Sequence, residues 1–155
     1  MKEFNPEEAY RKISFGCSLR ETCRKDVQSK LGRRGVDAKT IEDILARLEK
    51  DGFIDENRYA RAFVHDKYLF DKWGRLKIRN SLRLKGISQD DINDGLQQID
   101  EETYLDNLKS IIAAKRKTTN ADTPFALSQK LLRFAASRGY EPHLIIPLLE
   151  VEMED

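Results

Sequence analysis

Residues 74–96 read GRLKIRNSLRLKGISQDDINDGL, and the fold follows from how this stretch is punctuated. Ile78 and Leu82 stand four apart ahead of Gly86, which puts them on one helical face, and Ile92 and Leu96 repeat the arrangement behind it. Between the two pairs, Gly86 offers a helix stop that tolerates positive φ, and Ser88 offers an N-cap. The stretch therefore predicts two short helices whose apolar stripes meet across a tight turn.

The same pattern occurs twice more. Aligning Gly35, Gly86 and Gly139 brings Val27, Ile78 and Leu131 together eight residues before the glycine, and Leu31, Leu82 and Ala135 four before it. Val36, Ile87 and Tyr140 follow one residue after; Ile41, Ile92 and Ile145 fall six after, and Leu45, Leu96 and Leu149 ten after. All fifteen positions are apolar, against about six from a hydrophobic content of 39%, so composition alone does not generate the pattern. Each unit also opens with a helix start of one kind: Glu8-Ala9-Tyr10, Asn57-Arg58-Tyr59 and Glu102-Thr103-Tyr104. The expected fold is all-α, with three tandem three-helix repeats, helix-turn-helix-like, at residues 5–51, 52–99 and 100–152 in an elongated, curved array.

Local signals set the helix limits. Asn5-Pro6 and Thr123-Pro124 pair an N-cap with proline at the first helical position, and Glu8 is placed to close a capping box. Ser18 with Glu21, and Ser88 with Asp91, are further boxes, while Gly35, Gly52, Gly86 and Gly139 are stops. Nine helices are predicted near 6–16, 19–34, 38–50, 56–72, 75–85, 89–99, 101–117, 124–138 and 142–152. Pro147 falls inside the last, where a lost hydrogen bond should kink it at a cost of ~3 kcal/mol.

Charge is sorted by helix although the net charge is only +1. From Lys72 to Gln89 there are six basic residues (Lys72, Arg75, Lys77, Arg79, Arg83, Lys85) and no acidic one. Arg20 to Gly35, which includes Arg33 and Arg34, holds six basic against two acidic residues, and Thr123 to Gly139 holds Lys130, Arg133 and Arg138 with no carboxylate. The helix after the turn is acidic instead, with six carboxylates from Ser88 to Glu102. Recurrence in three units points to a binding surface for an anionic partner, composed of Arg33, Arg34, Lys72, Arg75, Lys77, Arg79, Arg83, Lys85, Arg133 and Arg138. Arg75, Arg79 and Arg83 recur every four residues and are expected to form one exposed ridge. Phosphates or an acidic protein groove would both satisfy such a surface.

Nothing assembles into an active site. His65 and His143 lie in different units without ligand-spaced neighbours, and Cys17 and Cys23 lack the second pair a zinc site needs. Asp90-Asp91 sits at a helix start, where carboxylates oppose the helix dipole. No phosphate loop, nucleophile elbow or zinc-protease motif is present, so no catalytic, metal or cofactor-binding residue is expected. Trp73 could stack on a base, but beside Phe70 and Leu76 it is expected to pack in the join between units. No apolar run approaches the ~18 residues of a membrane span, and nothing apolar follows Met1-Lys2-Glu3-Phe4 to serve as a secretory signal. A cytoplasmic monomer is expected.

Residues 54–64, from Ile54-Asp55-Glu56-Asn57-Arg58-Tyr59 through Ala60-Arg61-Ala62-Phe63-Val64, together with Gly74 to Ser88, resemble the most recognisable stretches of the RecX family. Lys30-Leu31 through Arg33-Arg34-Gly35 is similar to the preceding unit of that family and Phe134 to Tyr140 to its last. The likeness covers about residues 8 to 150. It departs at Cys23-Arg24-Lys25-Asp26-Val27, where the family usually has a serine, two residues, then glutamate and leucine; Ser18 is the substitute cap expected here. The resemblance implies a non-enzymatic regulator that binds the groove of a RecA nucleoprotein filament and restrains ATP hydrolysis, strand exchange and co-protease action. It implies no cofactor, and for some members it implies direct DNA binding.

Overall fold

The computed structural model describes residues 3–154, with side chains described as far as Glu150. Met1 and Lys2, from which the N-terminal reading starts, lie outside the described residues, as does Asp155. Among the described residues there are nine helices and no strand. They are α1 (Pro6–Leu19), α2 (Arg24–Arg33), α3 (Ala38–Lys50), α4 (Glu56–Leu69), α5 (Arg75–Leu84), α6 (Gln89–Leu96), α7 (Glu101–Thr118), α8 (Pro124–Ser137) and α9 (Pro142–Glu154). In groups of three they make the tandem units.

Most of the punctuation acts as the sequence predicts. Asn5 accepts from the backbone N–H groups of Glu7 and Glu8, Ser88 from Asp91 and Thr123 from Ala126. Gly35, Gly86 and Gly139 turn the chain at φ of 80°, 76° and 97°, which ordinary side chains resist. α9 runs past Pro147 to Glu154.

The first turn is different. α1 continues through Gly16, and the Ser18 hydroxyl donates to the Phe15 carbonyl, so it caps nothing. α2 begins five residues later than expected, at Arg24, with Cys23 in the N-cap position and no cap from its side chain. The Glu56 carboxylate, at the start of α4 in the next unit, lies close enough to the start of α2 to feel Arg24 electrostatically. Burial nevertheless raises the Glu56 pKa, and its Oε2 atom is buried without a hydrogen-bond partner. α4 stops at Leu69 instead of running to 72, because the chain turns through Lys72 at φ 53° and Trp73 N–H donates back to the Lys67 carbonyl.

Thirteen of the fifteen repeat positions are buried; Val36 and Leu96 are half-buried. The opening tyrosines Tyr10, Tyr59 and Tyr104 are buried in all three units. They build two cores. Ala9, Tyr10, Val27, Leu31, Ile41, Ile44, Leu45 and Leu48 close the first unit, together with Ile54 from the start of the second. A larger cluster runs without interruption through the second and third units, from Tyr59 to Leu149, and takes in Cys23 from the first. Within it α4 and α6 pack closest, because Gly95 lets the backbone of α6 come up against Ala60 and Val64.

Two cores imply two cooperative losses. Ile78→Asp or Leu82→Asp places a carboxylate at a fully buried position and should destabilise the second and third units together, by roughly 4 kcal/mol or more. Thermal unfolding by circular dichroism checks this. Near-native melting of either variant would show that these positions do not face the core.

Candidate partner-binding surface

The middle helices α2, α5 and α8 are joined end to end. The first backbone N–H groups of a helix have no acceptor within it, and at α5 the N-cap is Gly74, which has no side chain to supply one. The last turn of α8 supplies them: Gly74 N–H donates to the Arg138 carbonyl at 2.7 Å and Leu76 N–H to the Gly139 carbonyl at 2.9 Å. Arg75 N–H donates to the Tyr104 hydroxyl oxygen at 2.8 Å. The approach is close enough that a Cβ on Gly74 would fall into the backbone of Gly139 and Tyr140, and one on Gly139 into Lys77. The C-terminal, partially negative end of one helix thus meets the partially positive start of the next.

Side chains lock this junction. The Tyr104 hydroxyl donates to Glu141 Oε1 at 2.5 Å, Arg75 donates to Glu141 Oε2 at 2.7 Å, and Arg75 also pairs with Glu101. The Arg75 guanidinium lies 4.1 Å from the Tyr104 ring centre, and the Tyr140 hydroxyl donates to the Lys72 carbonyl. Burial opposes the charge on Glu141, but the hydrogen bonds from Tyr104 and Arg75 outweigh it and hold its pKa below the ordinary value. Burial pushes the Tyr104 hydroxyl pKa far up, and the Glu141 carboxylate beside it adds to the effect.

A second junction joins α5 to α2 by the same ends. Lys25, in the first turn of α2, donates to the Leu84 carbonyl at the end of α5, and Lys85 pairs with Asp26 at 2.7 Å. Arg58 of α4 fastens the same boundary through Glu21 and the carbonyls of Gly52 and Phe53. The order through the molecule is therefore α8, α5, α2.

This arrangement divides the ten basic residues. Arg75 is only 17% exposed and is held by two carboxylates, so it does not stand on an exposed ridge with Arg83. Arg79 is half-buried, and its Nε atom is buried without a partner. Lys72 donates to Ser110, Lys85 is held by Asp26, and the Lys77 ammonium sits 4.1 Å from the Trp73 ring centre. Arg33, Arg34, Arg83, Arg133 and Arg138 are exposed. Arg34 and Arg138 lie over the Phe4 and Phe134 rings, contacts that leave the charge facing water. The exposed five occupy the successive middle helices and the turns that end them.

Trp73 packs edge-on against Phe63 within the second unit, while Phe70 and Leu76, its expected companions, are 73% and 43% exposed. An open cleft of about 860 Å³ lies between α1, α2 and α4, with Lys12, Arg20, Lys30, Arg33, Lys67 and Lys85 around it. Sequence reading missed Lys12, Arg20, Lys30 and Lys67, because nothing in their spacing shows that α1 and α4 flank α2. Among the described residues no group of three or more His, Cys, Asp or Glu side chains could hold a metal ion, and no helix is long and apolar enough to cross a membrane.

Fold and surface define a class: a tandem array of three-helix units joined through basic middle helices. A family profile described as RecX, second three-helix domain, matches residues 55–96. The regulatory protein RecX of Clostridium botulinum is 35% identical over 134 residues, covering 83% of this chain and 61% of that protein. That of Amycolatopsis mediterranei is 24% identical over 158 residues, covering 99% and 90%. A crystal structure of a regulatory protein RecX superposes with a TM-score of 0.82 at 24% identity, over 90% of this chain and 70% of that one. RecX from Lactobacillus salivarius superposes with a TM-score of 0.76 at 18% identity, over 96% of each. Residues 55–96 are thus a RecX-type three-helix domain, and the chain is similar to RecX regulatory proteins along most of its length. It spans 61% and 55% of the length of two Clostridium botulinum relatives.

The junction carries a pH signature. Because the folded pKa of Glu141 lies below its ordinary value of 4.5, its contribution is present at neutral pH and is lost as the pH falls through and below that value. Glu141→Gln should melt lower than the parent at pH 7 and lose less on acidification, so that the two melting profiles converge. Tyr104→Phe, which removes one hydroxyl from both bonds, should cost roughly 1–3 kcal/mol at pH 7. Parallel thermal melts between pH 3 and pH 8 check both; a constant gap between parent and Glu141→Gln would place the charge elsewhere.

Proposed function

We propose that the chain regulates a RecA recombinase filament, restraining its ATPase, strand-exchange and co-protease activities by docking in the filament groove. One observation carries the reading beyond family likeness: the middle helices are joined end to end, so Arg133 and Arg138, then Arg83, then Arg33 and Arg34 succeed one another through the three units. A row of that kind can touch several protomers of a helical polymer at once, and summed weak contacts then give avidity. In this reading the units at 5–51, 52–99 and 100–152 act as one module, a cytoplasmic monomer without cofactor or catalytic step. The net charge of +1 favours a protein partner over bare nucleic acid as the principal target.

The test uses the exposed cations and leaves Arg75 alone, since reversing it would break the junction. Arg33→Glu, Arg34→Glu and Arg83→Glu combined should leave the melting temperature within a few degrees, because exposed ion pairs contribute only ~0–1 kcal/mol each. The triple variant should lose restraint of RecA ATPase and sedimentation with RecA on single-stranded DNA in the presence of a slowly hydrolysed nucleotide. A folded triple variant that restrains RecA at the parent's concentration would move the function to another face. Equal affinity for bare duplex and for filaments would make the chain a DNA-binding protein first.

A further inference from the structure

The cleft between the first two units has walls unlike its rim. Ile13 and Leu19 of α1, Val27 of α2 and Ala62 and Phe63 of α4 line it together, so apolar side chains make up about half of the lining. At the rim Arg20, Lys30 and Arg33 are exposed and make no ion pair among the described residues. Two of the three carboxylates in the lining are already neutralised, Glu21 by Arg58 and Asp26 by Lys85, leaving Asp66 beside His65.

Gly16 gives a second, independent indication. It lies inside α1 and lines this cleft, yet a Cβ placed there would meet nothing within 4 Å. A helix-interior glycine is destabilising relative to alanine, and here no internal packing requires it. The space over Gly16 is open, which leaves room for the backbone of something outside the chain to come close. Leu19, one turn further along α1 and in the cleft wall, is 73% exposed, and Phe15 is 68% exposed. These are large apolar side chains that the unit's own core does not cover.

We propose that this cleft receives an amphipathic helical segment of a partner protein, its apolar face against Gly16, Leu19 and Phe63 and its acidic flank toward Arg20, Lys30 and Arg33. The proposal rests on the filament reading and deepens it, since the segment would belong to the filament protein. Helix-in-groove recognition needs apolar surface beside charged edges, and the cleft has both. Nucleic acid fits it less well. Base binding needs open aromatic faces, whereas Phe63 is engaged with Tyr59 and Trp73 and no other ring but the buried Tyr59 reaches the lining.

Two variants and one crosslink test it. Gly16→Ala should raise the melting temperature while weakening sedimentation with RecA filaments, opposite signs that a merely structural role for Gly16 does not produce. Gly16→Leu should weaken sedimentation about tenfold or more, as when an extra side chain is forced into a packed contact. In the third arm Leu19 is replaced by photoreactive benzoylphenylalanine and the protein is irradiated with RecA on single-stranded DNA and a slowly hydrolysed nucleotide. The crosslinked peptide should be a RecA segment with apolar residues at helical spacing and at least one acidic neighbour. Attachment to DNA would overturn the proposal, and so would unchanged sedimentation of a folded Gly16→Leu variant while the parent sediments normally. If the parent itself failed to sediment with RecA filaments, the filament reading would fall and this proposal with it.

Discussion

The start of α5 has no cap of its own, and the molecule is organised around that deficit. Gly74 can supply no side-chain acceptor, so the exposed N–H groups of the helix are satisfied by the Tyr104 hydroxyl and the Gly139 carbonyl, both in the next unit. An unsatisfied buried backbone group is expensive, and this makes the third unit part of what allows the second to hold its shape. The absence of a Cβ at both Gly74 and Gly139 is what lets the two backbones meet. α2 also lacks a side-chain cap, with Cys23 at its cap position, and the Glu56 carboxylate of the second unit lies near its first turn.

This sharing of caps explains why charge alone is a poor guide to function here. Arg75 and Arg83 look equivalent in sequence, two turns apart on one basic helix. Arg75 falls at the junction, where Glu101, Glu141 and the Tyr104 ring enclose it; Arg83 falls near the far end, in solvent. Lys85 and Lys77 are similarly engaged, one by Asp26 and one by Trp73. Positive charge on the middle helices thus performs two tasks, holding the units in series and presenting exposed cations along them.

The repeat was legible because it rests on short-range rules. Apolar spacing around Gly35, Gly86 and Gly139 depends only on helix geometry and on the tolerance of glycine for positive φ, both of which a sequence displays. The junction was not, since the partners of Arg75 lie 26 and 66 residues away. The first turn misled for a related reason: Ser18 and Glu21 have the spacing of a capping box, but α1 runs on through Leu19 and α2 starts only at Arg24, without a side-chain cap. The recurring tyrosine that opens each unit was visible as an apolar mark, while its hydroxyl, which at Tyr104 bridges two units, gave no sign in the sequence.

Trp73 is the only tryptophan in the chain, and the ammonium groups of Lys67 and Lys77 lie 4.7 and 4.1 Å from its ring centre. Lys77 is also the residue whose backbone crowds Gly139. The emission of this indole therefore arises beside the joint between the second and third units. The chain thus carries an intrinsic optical probe next to that joint, readable without an attached dye.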